Sequence, residues 1–197
     1  MHLSKPYWDG NYLIVNAVNP TAGLFAGDHV DTRVQVCRGA SAVLTSPSAT
    51  RVFRARNSTG SAVAEQSFRI ESRGRLDVFP EMLIAHTGAR YAQRTRIEVQ
   101  ADGELFFTER IAPGRTASGE SFDYERLQFC TDLIVADKLA IRERNWMTSR
   151  SESIQAMRKA FPNAYYASAF IVSARLVAED FQKAIKEIGR ASCRERV

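Results

Sequence analysis

Apolar and polar residues alternate along much of the chain. In residues 30–36, apolar side chains and Thr32 occupy every second position, and charged or amide side chains occupy the positions between them. Residues 68–71 and 91–99 continue the same two-residue period. Because the side chains of a strand point alternately to its two faces, this pattern predicts strands with one buried face.

Short turns interrupt these strands at regular intervals. An apolar strand follows each of the turn positions Gly39, Gly74, Gly103 and Lys138, which are separated by 35, 29 and 35 residues. We therefore predict a mainly β fold of stacked antiparallel hairpins, a layered β domain with a few short helices toward the C-terminus. The alternative is an ordinary antiparallel β protein, in which glycine turns recur at comparable intervals.

The pattern changes after residue 150. Ser151 is suited to cap a short helix over residues 152–161, and Pro162 ends that helix. Residues 165–173 are aromatic and apolar enough for a buried strand. Residues 179–187 predict an amphipathic helix.

Length and composition indicate a globular protein. The chain has 197 residues, of which 45% are hydrophobic and 25% are charged, which excludes a disordered or collagen-like chain. Residues 188–197 match the translation of a common sequencing adapter, so we interpret them as an artefactual tail and residues 1–187 as a single, incomplete domain. The tail contributes three Arg and one Glu, and without it the formal net charge falls from +5 to +3.

The charged residues and cysteines narrow the class further. The 22 Arg and 5 Lys include no run of three basic residues, which is more typical of solvated strand faces than of a phosphate-binding patch. Cys37, Cys130 and Cys193 are scattered and odd in number, which excludes a disulfide framework and favours a reducing compartment. No signal-peptide pattern opens the chain, so we expect a cytoplasmic protein.

The most unusual string is NPTAGLFAGD at residues 19–28, in which Pro20 and two glycines predict a shaped loop. It lacks the Gly-Lys-Ser/Thr of a P-loop and the glycine spacing of a dinucleotide site. Its Asp28 has two interpretations. The carboxylate either accepts hydrogen bonds from its own loop or serves as a functional acid.

Candidate catalytic and metal-binding residues form no recognised motif. The hydroxyl-rich segment 45–50 has no nucleophile elbow, and no CxxC or HxxxH pair predicts a tetrahedral metal site. His29 beside Asp28 offers the imidazole and oxygen ligands that nickel accepts. Three acids at strand ends or loops are candidates for paired carboxylates: Glu81, Glu109 and Glu120. The residues alone favour a binding or scaffold role over catalysis.

Four strings, in order, resemble the UreD family of urease accessory proteins, called UreH in some organisms. They are NPTAGLFAGD at 19–28, LTSPSATRVFR at 44–54, FPEMLI at 79–84, and APGR with GESF within 112–122. The resemblance is good over residues 6–144 and looser over 145–187. Compared with the family pattern, the chain is expected to be shortened at both ends.

The resemblance implies a non-catalytic scaffold with a largely β fold. Such a protein binds the urease apoprotein and UreF, and through UreF the GTPase UreG, so that nickel is inserted into urease. It implies no tightly bound cofactor, only transient nickel on an interior route lined by acids, and neither nucleic acid nor membrane as a partner. Asp28 and Glu120 match that route.

Other residues of the matching strings are candidates for partner contacts or loop structure: Thr50, Arg54, Glu81 and Arg115. Two alternatives from the residues alone stay open. One is a nucleic-acid-binding β module, whose affinity would fall steeply with salt. The other is a hydrolase that uses paired carboxylates.

Overall fold

The computed structural model describes residues 2–55 and 60–175, which contain fourteen strands, one α-helix and one short 3₁₀ helix. The first strands are β1 (His2–Leu3), β2 (Tyr7–Asp9), β3 (Tyr12–Val18), β4 (His29–Val36), β5 (Ser41–Thr45), β6 (Thr50–Val52) and β7 (Ala62–Ile70). Then follow β8 (Arg75–Phe79), β9 (Leu83–Ala85), β10 (Arg90–Val99), β11 (Glu104–Ala112), the 3₁₀ helix (Thr116–Ser118), β12 (Arg126–Val135), β13 (Lys138–Met147), α1 (Glu152–Ala160) and β14 (Tyr166–Val172). The predicted helix 179–187 and the tail 188–197 lie outside the described residues.

The strands form two sheets, so the mainly β prediction is confirmed. One sheet has five strands in the order β13-β12-β10-β7-β4. The other has nine, along the path β1-β3-β5-β8-β11-β9-β6, with β14 paired to β11 and β2 paired to β3. Strands β4, β7, β10 and β12 run parallel to one another, as do β3, β5, β8 and β11.

The repeat turns stack, but three of the four do not form hairpins. Strands β4, β7 and β10 lie in the five-stranded sheet, whereas the strands that follow them, β5, β8 and β11, lie in the other sheet. Successive turns are joined by backbone bonds, with Arg75 N donating to Ala40 O at 2.9 Å and Glu104 N donating to Gly74 O at 2.9 Å. The layers are therefore present, and their strands pair in parallel with the next layer.

The turns that cross between the sheets are longer than the one that closes an antiparallel hairpin of the predicted kind. Four residues separate the two strands at each of the first three turns, and two residues, Ala136 and Asp137, separate β12 from β13. Two-residue loops with positive φ close tight hairpins, and φ is 48° and 61° at these residues. Of the four turns, the last alone makes an antiparallel hairpin.

The described C-terminal elements agree with the sequence predictions. Ser151 Oγ accepts a hydrogen bond from Ile154 N at 3.4 Å and caps α1, which ends at Ala160, one residue before the predicted end. Strand β14 lies within the predicted segment 165–173 and pairs antiparallel with β11. No helix in the described part of the chain is long and apolar enough to cross a membrane.

The sheets pack face to face over two apolar clusters. The turn-side cluster lies next to the stacked turns and includes Phe68, Ile97, Phe107, Leu133 and Phe170. The far cluster lies at the other end of the strands and includes Val52, Tyr91, Ile111, Phe129 and Ile154. Burying one such side chain contributes about 1.5–3 kcal/mol, so the clusters hold the sheets together. Polar side chains lie between the clusters.

Candidate functional site: a polar layer between the sheets

A row of polar side chains crosses the five-stranded sheet between the two clusters. Thr32, Gln66, Thr95, Thr131 and Glu143 are in register on its five strands. They have the same strand parity as the cluster residues, so they point between the sheets. Two of them, Thr95 and Thr131, are only 3% and 2% exposed. Interior polar groups cost stability relative to apolar ones, which makes this row a candidate site.

Glu109 faces the row from β11 in the other sheet and is buried. Gln93 Nε2 donates a hydrogen bond to Glu109 Oε1 and a second, at 3.2 Å, to Thr95 Oγ1. Tyr91 Oη donates to Gln93 Oε1 at 2.7 Å, and Thr95 Oγ1 donates to Gln66 Oε1 at 3.4 Å. One carboxylate is therefore tied to side chains of β7 and β10 by a continuous hydrogen-bond network.

Burial sets the protonation of this network. It raises the pKa of Glu109 to about 7, opposed by the hydrogen bond from Gln93 and reinforced by the charge of Glu143. Burial, followed by the charge of Glu109, also raises the pKa of Tyr91. The phenol therefore stays protonated and acts as the donor in its hydrogen bond to Gln93. At neutral pH the Glu109 carboxyl is divided between its protonated and ionised forms, as suits a group that exchanges a proton for a cation.

A cavity of about 350 Å³ opens onto the network. Gln66, Gln93 and Glu109 form part of its lining. The rest of the wall comes largely from residues within 19–28, 44–54 and 79–84. Three of the four strings singled out in the sequence thus meet at one cavity.

Backbone contacts hold these three strings together. Leu24 N donates to Arg51 O at 2.8 Å, and Thr50 N donates to Met82 O at 2.9 Å. Glycine is required at position 23, because a Cβ there would lie 2.6 Å from Arg51 O. The glycines and proline of residues 19–28 therefore shape a loop that packs closely beside the cavity.

The polar row continues to the opposite edge of the sandwich, between β13 and β14. Tyr166 Oη donates to Glu143 Oε1 at 3.3 Å and accepts from Asn145 Nδ2 at 2.8 Å. Ser168 is in register with Glu109, and its buried Oγ has no hydrogen-bond partner among the described residues. Polar side chains therefore extend from the cavity mouth, past Glu109, to the far edge. We call this set the polar layer; it comprises the five-residue row together with Gln93, Glu109, Asn145, Tyr166 and Ser168.

The fourth string contributes to a separate depression of about 740 Å³, to which Arg54 and His86 also belong. Arg115 Nε donates to Glu120 Oε2 at 2.9 Å, and Nη2 donates to Oε1. These bonds lower the pKa of Glu120 to about 2. Burial, and then the charge of Arg115, lower the pKa of His86, whose ring meets the Phe53 ring edge-on at 4.7 Å.

The two acids predicted for a nickel route lie away from Glu109. Asp28 Oδ2 accepts a hydrogen bond from Phe25 N at 2.8 Å, which corresponds to the loop-capping interpretation of the sequence. Glu120 is held by Arg115 in the separate depression. Neither residue lines the cavity beside Glu109.

The remaining candidates divide between the two concavities. Thr50 and Glu81 line the cavity, where Glu81 N donates to Ser46 Oγ at 2.7 Å, whereas Arg54 and Arg115 line the depression. Of the three acids considered for a carboxylate pair, Glu81 and Glu109 line the same cavity. Glu81 Oε2 lies 3.7 Å from Arg110 Nη2.

The neutral members of the polar layer were not among the candidates predicted from the sequence: Gln66, Gln93, Thr95 and Thr131. A signal for them was present. Gln66 and Thr131 each occupy an inward strand position whose neighbours two residues away are apolar, and Gln93 and Thr95 together interrupt the inward face of β10 in the same way. One polar residue at an inward position of a single strand carries little information. Polar residues at corresponding inward positions of several strands indicate a polar layer.

Within residues 2–55 and 60–175, no three His, Cys, Asp or Glu side chains group closely enough to hold a metal ion. His29 Nε2 lies 3.5 Å from Glu65 Oε2, while Asp28 is used within its own loop, so these two side chains bind different partners. What the polar layer offers a cation is the buried carboxylate of Glu109, with Glu143 at the edge strand, among amide and hydroxyl oxygens. Such a set gives weak, exchangeable contacts.

Comparison with known proteins gives consistent matches. The sequence pattern of a family described as UreD urease accessory protein matches residues 1–195. A protein named urease accessory protein UreD from Opitutus terrae is 34% identical over 96% of this chain and 70% of its own length. The Bacillus cereus protein of the same name is 28% identical over 94% of this chain and 66% of its own length. The Kocuria rhizophila protein of that name is 36% identical over 60% of this chain and 32% of its own length. The chain thus spans only part of each of these relatives.

Proposed function

The chain belongs to the UreD family of urease accessory proteins, and from this premise we propose that it serves urease maturation as a non-catalytic scaffold. It binds the urease apoprotein and UreF, recruits the GTPase UreG through UreF, and gives nickel a path toward the urease active site. Nickel is the cargo of this process and not a resident cofactor. The observation that carries the proposal is the polar layer, which begins at a cavity built by three family-like strings.

The chemistry of the layer suits passage better than storage. Ni²⁺ accepts carboxylate and neutral oxygen ligands, and a site with a single charge holds it only weakly. Glu109 supplies that charge, and Gln66 and Thr95 supply neutral oxygens close by. Because the pKa of Glu109 is about 7, an arriving cation displaces a proton from the carboxyl group, and the returning proton favours release.

The proposal is tested by producing the full chain with urease subunits, UreF and UreG in a host that lacks its own UreD. Nickel per urease and urease activity are measured for the unchanged protein, for Glu109→Gln, and for Glu152→Gln as an exposed control on α1. We expect Glu109→Gln to lower nickel loading roughly tenfold, because the layer loses the buried carboxylate beside the cavity. Glu152→Gln should load normally.

Capture of partners separates the scaffold role from the nickel route. Both variants should still retain UreF and urease apoprotein in stoichiometric amounts. Normal nickel loading by Glu109→Gln would contradict the route through the layer while leaving the scaffold role intact. If the unchanged chain retained neither partner, the scaffold role would be wrong, and turnover or salt-sensitive polynucleotide binding would identify the alternatives.

A further inference from the structure

Arginines that are scattered in the sequence gather on the outer face of the five-stranded sheet. One registered row contains Asp31, Glu65, Arg94, Cys130 and Arg144. The next contains Arg33, Ser67, Arg96, Asp132 and Arg142. Strand alternation explains the gathering. Each of these residues lies next to an inward-pointing residue on its strand, so its own side chain points to the outer face.

Positive charge is in excess on β10, β12 and β13. Arg142 Nη2 and Arg144 Nη2 both contact the single carboxylate of Asp132, at 3.0 and 2.9 Å. Arg94 is 79% exposed and reaches Glu65 only at 3.9 Å. Arg96 Nη2 is paired with Glu98 Oε1 at 2.6 Å. The four arginines therefore share two close carboxylates, Glu98 and Asp132, and one distant one, Glu65, so guanidinium charge remains available to another molecule.

The same face is concave where the arginines stand. A depression of about 500 Å³ lies over the small side chains Ser67 and Cys130, with Arg94 and Arg144 among the residues that line it. Trp146, two residues after Arg144 on the same face of β13, is 72% exposed. Exposed Trp and clustered Arg are the residue types most enriched at the energetic centres of protein interfaces.

We propose that a protein surface with clustered Asp and Glu side chains docks on this basic face, which we define by Arg94, Arg96, Arg142, Arg144 and Trp146. Guanidinium groups bind carboxylates through two parallel hydrogen bonds, and the concavity admits side chains that project from a partner. The exposed indole of Trp146 beside these arginines favours a protein surface over a phosphate backbone, because Trp and Arg together are enriched at the centres of protein interfaces. This surface lies on the opposite side of the sheet from the polar layer and does not depend on the nickel route.

Fluorescent poly-L-glutamate is the probe for clustered carboxylates, and poly(U) RNA is the comparison for phosphates. Binding of the full chain is measured by anisotropy at low and at physiological salt. We expect poly-L-glutamate to bind more tightly than poly(U). Arg144→Gln and Trp146→Ala should each weaken poly-L-glutamate binding by about tenfold. Arg38→Gln, the same charge change at an exposed turn residue, should alter it by less than about twofold.

Tighter binding of poly(U) would overturn the proposal in favour of a nucleic-acid surface, and binding of neither polymer would overturn it outright. An equal loss in Arg38→Gln and Arg144→Gln would also overturn it, because net charge alone would then explain the affinity. Thermal melts verify that each variant folds. If Arg144→Gln does not fold, Arg94→Gln replaces it, because that side chain is largely in solvent and must show the same loss.

Discussion

The two faces of the five-stranded sheet carry polar rows that lie one residue apart on the same strands. The inward row is Thr32, Gln66, Thr95, Thr131 and Glu143, and the outward row is Arg33, Ser67, Arg96, Asp132 and Arg142. Hydroxyl and amide groups dominate the inward row, with its one acid at the edge strand, whereas charged groups dominate the outward row. Adjacent positions on one strand thus carry different kinds of polar group, because one faces the interior and the other faces water.

Adding a carboxylate to each row should produce the largest difference in stability between the two rows. Thr95→Asp places a carboxylate at a position that is 3% exposed and close to Glu109, so we expect a loss of about 4 kcal/mol in the free energy of unfolding at pH 8. Ser67→Asp makes a similar change between Arg33 and Arg96 on the outward row and should change stability by less than about 1 kcal/mol. Denaturant unfolding measures both. Equal losses would show that the rows do not differ in burial.

The inward row should also have its own dependence on pH. The pKa of Glu109 is about 7 in the folded protein and 4.5 in the unfolded chain, so the folded state holds the proton more tightly. The stability gained from this carboxyl is complete below pH 4.5 and is lost as the pH rises through 7, a change on the order of 3 kcal/mol. Unfolding curves between about pH 4 and pH 8 measure it.

Glu109→Gln is the matched variant, because the amide keeps hydrogen-bonding capacity and has no proton to lose. Its stability should not show that decline over the same pH range. If the variant showed the same decline as the unchanged protein, another group would be responsible. The row would then lack the titration that we assign to it.

Gln93 tests whether the network needs every partner. Gln93→Leu removes the donor to Glu109 and the acceptor for Tyr91, so we expect a loss of about 2 kcal/mol and a further rise in the pKa of Glu109. Carboxyl NMR titration follows the pKa. The control Gln35→Leu removes an exposed hydrogen bond to Glu71 and should cost less than about 0.5 kcal/mol.

The outward row should respond to pH weakly and with the opposite sign. Hydrogen bonds from Arg142, and then Arg144, lower the pKa of Asp132 from 3.8 to about 2, so its stabilisation is present above pH 3.8 and disappears as the pH falls through 2. Solvent screening limits the effect to less than about 1 kcal/mol. Asp132→Asn should abolish it, and added salt should reduce it in the unchanged protein. A salt-independent effect would mean that the pair is effectively buried.

Sequence alone was sufficient for the local structure. Alternation identified β4, β10 and the end of β7, and Ser151 identified the start of α1, because side-chain direction and capping depend on neighbouring residues. The sheet to which each strand belongs depends on contacts about thirty residues away. The turn glycines did not indicate how successive layers align. The register places Gly39 (φ 70°) opposite Arg73 (φ 57°) and not opposite Gly74.

The candidate site was predicted only in part for the same reason. Glu109 and Glu81 were named among three acids, but the sequence could not show that the two line one cavity. Asp28 and Glu120 were selected from family-like strings, and their hydrogen bonds to Phe25 N and to Arg115 depend on loop geometry. Scattered arginines likewise suggested separate solvated positions until register placed them in two rows.

The two-residue turn at Ala136 and Asp137 also has a kinetic consequence. Closing this hairpin costs about 2 kcal/mol less loop entropy than pairing strands of successive layers, which are about thirty residues apart. The β2–β3 pair also has a two-residue turn, but it has three register pairs against nine in β12–β13. Folding is therefore expected to nucleate at β12–β13 and to spread toward β4, against the direction of synthesis, so the N-terminal layers form last. Ala136→Asn with Asp137→Gly, which suits the positive φ angles, should speed refolding in stopped-flow experiments more than it slows unfolding.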